Sequence, residues 1–325
     1  MLRTTSALTL ALAFAAPIAA QAETLTLYTS QPNADAQMTV DAFMAANPGV
    51  EVEWVRDGTT QLMTRLRAEI EAGAAQPDVL LIADTVTLEG MAQEGLLMAY
   101  NSPEAGAYDP ALHSPEGYYY STKLITTGIV YNTGAELAPT SWTDLVGDGM
   151  DGMVAMPSPL YSGAALIHLA TLTGTDGLGW DYYQQLATND ARAEGGNGGT
   201  FRAVASGEKP YGMVVDFLAI RGAADGSPVS FVFPTEGVSY VTEPVAILNG
   251  AENTEQAQAF VDFVLSEAGQ QLVLDQGYIP ARDGMPMPAG FPARDEIVLM
   301  DFDPAQALAD ADANKARFAE TFGVE

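Results

Sequence analysis

Three short stretches of this sequence join glycine to hydroxyl side chains: Gly58-Thr59-Thr60, Tyr161-Ser162-Gly163 and Gly198-Gly199-Thr200. Each precedes or opens a run with helical spacing, so each offers uncovered backbone N–H groups and the positive end of a helix dipole, which suit an anion. Taken singly, each also reads as an ordinary Ser or Thr N-cap beside a permissive glycine. Their recurrence in two parts of the chain favours an oxyanion or carboxylate pocket. The candidate contacts on this side are Thr59, Thr60, Ser162, Gly163, Gly199 and Thr200, with Ser30 after the first strand.

Carboxylates at other strand ends suggest a second pole. Asp84, Asp216 and Glu236 suit an ammonium, sugar hydroxyls or a metal, and equally the solvated or capping roles common in a chain with 42 acids. In the extended run Tyr118-Tyr119-Tyr120 the side chains alternate faces, so one packs in a core and an outward one can show its ring to a cation. Tyr120 is the member taken as a ligand contact. Lys123 reads either as a base that neutralises an anion or as a surface lysine. The two histidines offer little: His168 lies among Leu166, Ile167 and Leu169 on a helix, and His113 sits in a loop without an acidic or hydroxyl partner at recognisable spacing. No G-x-S-x-G, H-E-x-x-H, P-loop or EF-hand pattern occurs, which argues against a motif-bearing hydrolase. No cofactor and no metal site are expected.

These residues are carried by alternating strands and helices. Period-2 and period-3.6 patterns predict strands at 24–28, 50–55 and 79–83, with helices at 35–46, 59–71 and 88–94. That β-α-β-α-β-α order predicts a parallel sheet covered on both faces. A second block has strands at 124–131, 154–156, 211–215 and 229–233, and helices at 141–146, 162–173 and 200–206, with a further segment at 181–187. The apolar strand 244–248 then leads to helices at 254–265 and 270–276, and a Pro/Gly loop precedes a last helix near 304–318. In such sheets ligands bind beyond the carboxyl ends of the strands, where the candidates above fall.

Composition narrows the function further. With 325 residues and 48% hydrophobic content the chain can build about two cored domains, and a net charge of -29 repels nucleic acid and anionic membranes. The absence of cysteine excludes disulfide scaffolds, Cys-ligated zinc, iron–sulfur clusters and thiol catalysis. At the N-terminus, Arg3, an apolar run at 7–16, Pro17 and Ala20-Gln21-Ala22 predict a cleavable signal peptide over residues 1–22. The mature chain is expected to start at Glu23, free of a lipid or membrane anchor, in the periplasm.

Leu25-Thr26-Leu27-Tyr28-Thr29-Ser30, Arg65-Leu66-Arg67-Ala68-Glu69 and Gln76-Pro77-Asp78-Val79, followed by Pro139-Thr140-Ser141-Trp142-Thr143-Asp144-Leu145 and Met156-Pro157-Ser158-Pro159, resemble solute-binding proteins of ABC importers. The resemblance is to the group that binds ferric ion, phosphonates and organophosphates. It implies an α/β, two-lobe type II periplasmic binding protein fold, each lobe a parallel-rich sheet flanked by helices. It also implies a monomer that captures a small-molecule ligand between its lobes and docks on an inner-membrane ABC permease with its ATPase. Lobe 1 is expected at 23–123 plus about 245–283 and lobe 2 at about 124–244 plus 284–325, with hinge crossovers near 124–131 and 244–248. Ferric members carry adjacent tyrosines where this chain has Val215-Asp216-Phe217, while Pro234-Thr235-Glu236-Gly237 is similar to an acidic segment of sugar-phosphate binders. The expected ligand is therefore an organophosphorus solute, 2-aminoethylphosphonate or a sugar phosphate, with Asp216 and Glu236 at its other end. Ferric iron, with phenolates from Tyr118–Tyr120 and Tyr240, and a secreted metal-assisted hydrolase are the alternatives.

Overall fold

A computed structural model of the chain describes residues 23–193 and 195–324. The expected signal peptide, 1–22, lies outside them. In chain order the elements are β1 (Glu23–Thr29), α1 (Asn33–Ala46), β2 (Val50–Arg56), α2 (Thr59–Glu71), β3 (Val79–Leu81), α3 (Thr85–Gln93), β4 (Leu97–Met98), β5 (Tyr120–Ser121), β6 (Lys123–Asn132), β7 (Val154–Met156) and α4 (Gly163–Thr173). They continue with α5 (Gly179–Thr188), β8 (Arg192–Ala193), α6 (Asn197–Ala205), β9 (Tyr211–Val215), α7 (Asp216–Ala224), β10 (Val229–Val232), β11 (Ser239–Val241), β12 (Pro244–Leu248), α8 (Thr254–Leu265), α9 (Glu267–Asp275), β13 (Ile279–Pro280) and α10 (Pro304–Phe322).

Two sheets divide the molecule into two lobes. The first runs β2-β1-β3-β12-β4, with β5 also on β12; the second runs β10-β6-β9-β7-β8, with β11 and β13 also on β6. In each sheet one strand opposes all its neighbours: β12 in the first and β6 in the second. The expected parallel sheet therefore holds for β1, β2 and β3 and is interrupted by β12, a strand that returns from the other lobe. Alternation puts Val79 and Leu81 on one face with Phe43 and Phe260, and Leu80 and Ile82 on the other with Leu62 and Leu88. The second lobe repeats this, Met213 facing Trp142 and Tyr183 while Val214 faces Val204 and Phe217. Sheets buried on both faces read as continuous apolar runs, as Val79–Leu81 and Pro244–Leu248 do.

The chain passes between the sheets at Thr122 and again at Thr242 and Glu243, just before the strands expected as crossovers. These two connections are tied together: the N–H groups of Thr122 and Lys123 both donate to the Thr242 carbonyl, at 3.2 and 3.3 Å, and the Thr122 hydroxyl donates to the Glu243 carbonyl at 2.7 Å. After α9 the chain pairs β13 with β6, and α10 then lies on α4 and α5 of the second lobe and on α3 of the first. Six elements were not anticipated: α7, and the two- or three-residue strands β4, β5, β8, β11 and β13, which exist only through their partners.

Candidate functional site

A cavity of about 560 Å³ lies where the two lobes meet, beyond the carboxyl ends of β1, β2 and β3 on one side and of β7 and β9 on the other. Of the expected contacts it is lined by Ser30, Thr59, Ser162 and Gly199. The Ser30 hydroxyl oxygen accepts from Ala83 N–H at 2.9 Å, which ties the β1 and β3 ends together. Ser162 caps α4 by accepting from Ala165 N–H at 3.3 Å and also accepts from the Asn197 amide at 3.1 Å. Asn197 in turn accepts from Val215 N–H, so α6, α4 and β9 are spliced beside the cavity.

Contacts between lobes claim the other predicted residues on this side. Thr60 N–H donates to the Tyr161 carbonyl at 3.3 Å, its hydroxyl to the Pro159 carbonyl at 3.2 Å, and the Gln61 amide to the Leu160 carbonyl at 2.9 Å. The start of α2, expected to face an anion, is thus largely occupied by three consecutive carbonyls of the opposite lobe. Gly163 fits so closely that a Cβ there would stand 2.6 Å from the Ala83 carbonyl oxygen and 2.9 Å from Thr59 Cβ. The Tyr161 ring is wedged between glycines of both lobes, since a Cβ on Gly58 or Gly196 would lie within 2.8 Å of it. Thr200 is buried, its methyl against Gly212 of β9.

The second pole is not assembled. Asp84 caps α3 through the Thr87 N–H and hydroxyl, and burial raises its pKa against those bonds. Asp216 accepts from Thr126 N–H and hydroxyl and from Phe217 N–H inside the second lobe, and burial raises its pKa to about 6. Glu236 is exposed and holds the Ser141 turn, accepting from the Ser141 hydroxyl and from Trp142 N–H. All three are local structural acceptors, the role acids take when free N–H groups stand close by. The tyrosines also lie elsewhere: Tyr120 donates to the Tyr100 carbonyl, Tyr119 to Glu89, Tyr118 packs in the first lobe and Tyr240 against Phe233 and Leu124. His168 is buried, its Nδ1 2.8 Å from Ser239, and its pKa falls to about 3 because burial disfavours the cation.

Two arginines line the cavity that the sequence reading passed over. Arg56, at the end of β2, donates from Nε to the Gln31 carbonyl at 2.8 Å, and its Nη1 lies 3.3 Å from the Tyr161 hydroxyl. Arg202, one turn into α6, has no side-chain partner among the described residues. Neither meets a carboxylate among the described residues, although acids outnumber bases 42 to 13 in this chain. Their signal was readable as a base beside two of the three glycine turns, Arg56 before Gly58 and Arg202 after Thr200. The cavity's one carboxylate among the described residues is Glu243, 2% exposed and 2.5 Å from Lys123 Nζ. Lys123 is therefore neither a surface lysine nor a free base, being 1% exposed and paired.

Residues 25–279 match the family described as bacterial extracellular solute-binding protein. A probable ABC transporter periplasmic-binding protein, y4fP of Sinorhizobium fredii, is 26% identical over 78% of this chain and 73% of its own length. Among solved structures, the periplasmic binding protein AfuA of Actinobacillus pleuropneumoniae with exogenous fructose-6-phosphate bound has a TM-score of 0.84 at 22% identity, covering 93% of this chain and 99% of that one. Iron-bound HitA of Pseudomonas aeruginosa has a TM-score of 0.79 at 23% identity, covering 91% and 99%. The expected two-lobe periplasmic binding fold is the fold of these structures.

Proposed function

The chain belongs to the bacterial extracellular solute-binding protein family, and from that premise we propose that it captures a small phosphate ester between its lobes in the periplasm and hands it to an ABC permease. A member of this family binds solute for an ABC transporter and is not an enzyme. The observation that carries the ligand reading is the pair Arg56 and Arg202, one from each lobe, facing one cavity without a carboxylate partner among the described residues. A guanidinium fork matches phosphate oxygens in geometry and charge, and the glycine-rich start of α6 adds N–H groups on the same wall. The acidic surface does not oppose this, because screening over about 8 to 10 Å leaves the local field to local groups.

The same geometry ranks the ligands expected from the sequence. An aminophosphonate needs a free acid for its ammonium, and Asp216 and Glu236 are engaged elsewhere. AfuA, with a sugar phosphate bound, shares the fold and supports a hydroxylated ester instead. Iron, which HitA holds, would need a cluster of phenolates, whereas Tyr161 is the single tyrosine lining the cavity among the described residues.

A thermal-shift panel of inorganic phosphate, sugar phosphates, 2-aminoethylphosphonate and ferric citrate tests the reading. A ligand at 100 times its Kd adds about 2.7 kcal/mol of stability. Losing one charge-assisted contact, as in Arg202→Gln, is expected to weaken a bound ester roughly 10- to 150-fold, since such bonds contribute about 1.5–3 kcal/mol. A tyrosinate charge-transfer band at one equivalent of iron, with no shift from any phosphorus compound, refutes it.

A further inference from the structure

We propose that Glu243, held neutral in sum by Lys123, is the residue that reads a hydroxyl on the ligand and so selects a hydroxylated phosphate ester over an aminoalkyl or plain alkyl one. This rests on the phosphate-ester reading above and adds the identity of the ligand's other end. Glu243 is the cavity's one carboxylate among the described residues. Its Oε2 makes both internal contacts, an ion pair with Lys123 Nζ at 2.5 Å and a hydrogen bond accepted from the Gln31 amide at 3.3 Å. Oε1 has no donor within the described chain and is the acceptor left for a ligand.

The pairing decides what kind of donor suits it. A lone carboxylate in so buried a place would draw a cation, but Lys123 already supplies that charge and is itself 1% exposed. An ammonium would give up its hydration without gaining an uncompensated charge, whereas a hydroxyl gives up little and completes the acceptor. With Arg56 and Arg202 free of carboxylates and Glu243 cancelled by Lys123, the described cavity side chains sum to two positive charges. That matches a dianionic phosphate on a neutral, hydroxyl-bearing body.

The backbone supports a functional placement. Glu243 has φ of +37°, a left-handed setting that a side-chain-bearing residue rarely adopts, and it lies in the second connection between the lobes. Lys123 follows the first connection directly. A ligand hydroxyl on Oε1 thus touches the segment about which the lobes are joined.

The test compares fructose 6-phosphate, n-hexyl phosphate and 2-aminoethylphosphonate by calorimetry on the native chain, on Glu243→Gln and on the double variant Lys123→Met with Glu243→Leu, which replaces the pair by apolar side chains. The expected result is tighter native binding of the sugar phosphate than of either other probe. Its affinity falls on the order of ten-fold or more in both variants while n-hexyl phosphate stays within about two-fold. Lys123→Met alone, leaving the carboxylate uncompensated, shifts the preference toward 2-aminoethylphosphonate. An equal loss for both phosphates in the variants, or an unchanged affinity for the sugar phosphate, overturns the assignment while the phosphate-ester reading stands. Failure of every phosphate probe on the native chain overturns that reading and this one with it.

Discussion

Gly163→Ala separates the fold of each lobe from the joining of the two. Position 163 opens α4, where alanine is as good a helix residue as glycine or better by up to about 1 kcal/mol, and its backbone needs no left-handed conformation. Within the second lobe the change is therefore neutral or stabilising. Across the cleft, the new Cβ would stand 2.6 Å from the Ala83 carbonyl oxygen and 3.0 Å from Thr59 Oγ1, and the carbonyl is backbone that cannot swing aside. Overpacking of this kind costs about 1–3 kcal/mol. The cost falls only on the joined state, so at about 1.4 kcal/mol per decade the apparent Kd of a phosphate ester weakens roughly 5- to 150-fold. Calorimetry with fructose 6-phosphate and small-angle scattering of the ligand-saturated protein measure the two consequences: weaker binding and a larger radius of gyration. A Gly163→Ala protein with native affinity, native compactness and an unchanged melting temperature would show that the lobes do not meet at this point in the bound state.

Glu236→Ala is expected to leave ligand affinity unchanged and to lower stability by about 1 kcal/mol, the worth of the Ser141 turn contacts, as read by urea unfolding; a large loss of affinity would return Glu236 to the cleft. His168 gives a pH signature. The unfolded chain binds a proton there below pH 6.5 that the folded chain refuses until about pH 3, so stability drains as pH falls through that window. At pH 5 this amounts to about 2 kcal/mol. His168→Gln should gain that much on the native protein between pH 7 and pH 5, and parallel stability curves would contradict the assignment. Asp216 runs the other way: its folded pKa of about 6 lies above the unfolded value of 3.8, so its contribution is present in full below 3.8 and lost as pH rises through 6. The two slopes oppose each other between pH 6 and 4, so native stability is expected to vary less there than in His168→Gln, whose slope keeps only the Asp216 gain on acidification.

Where periodicity ran long enough, the elements were legible to the residue: α2, α8, β7, β9 and β12 have the bounds their patterns imply. The elements missed carry no pattern of their own. β4, β5 and β8 are two-residue pairings whose existence depends on a distant strand, and α7 follows β9 without an intervening turn residue. Among candidate contacts, Ser30, Thr59, Ser162 and Gly199 fall on the cavity wall as the strand-end rule expects, because topology alone fixes that edge. Asp84, Asp216 and Glu236 stand off that wall on local donors, because an acid at a strand end is as well suited to holding a nearby N–H or hydroxyl, and a single sequence does not say which donor lies nearer. The glycine turns held a further ambiguity: the start of α2 suits an anion in principle, yet three carbonyls of the opposite lobe take the Thr60 N–H, the Thr60 hydroxyl and the Gln61 side-chain amide first.

The opposed strands β12 and β6 set an order of assembly. In the first sheet β12 stands between β3 and β4 and is also the partner of β5, so β4 and β5 have no place to pair until residues 244–248 have joined. The chain must complete nearly all of its second sheet in sequence before it can close its first. A fragment ending before Pro244 therefore leaves the sheet of the N-terminal lobe split between β3 and β4, so the half that is made first cannot be finished until most of the other half has been made.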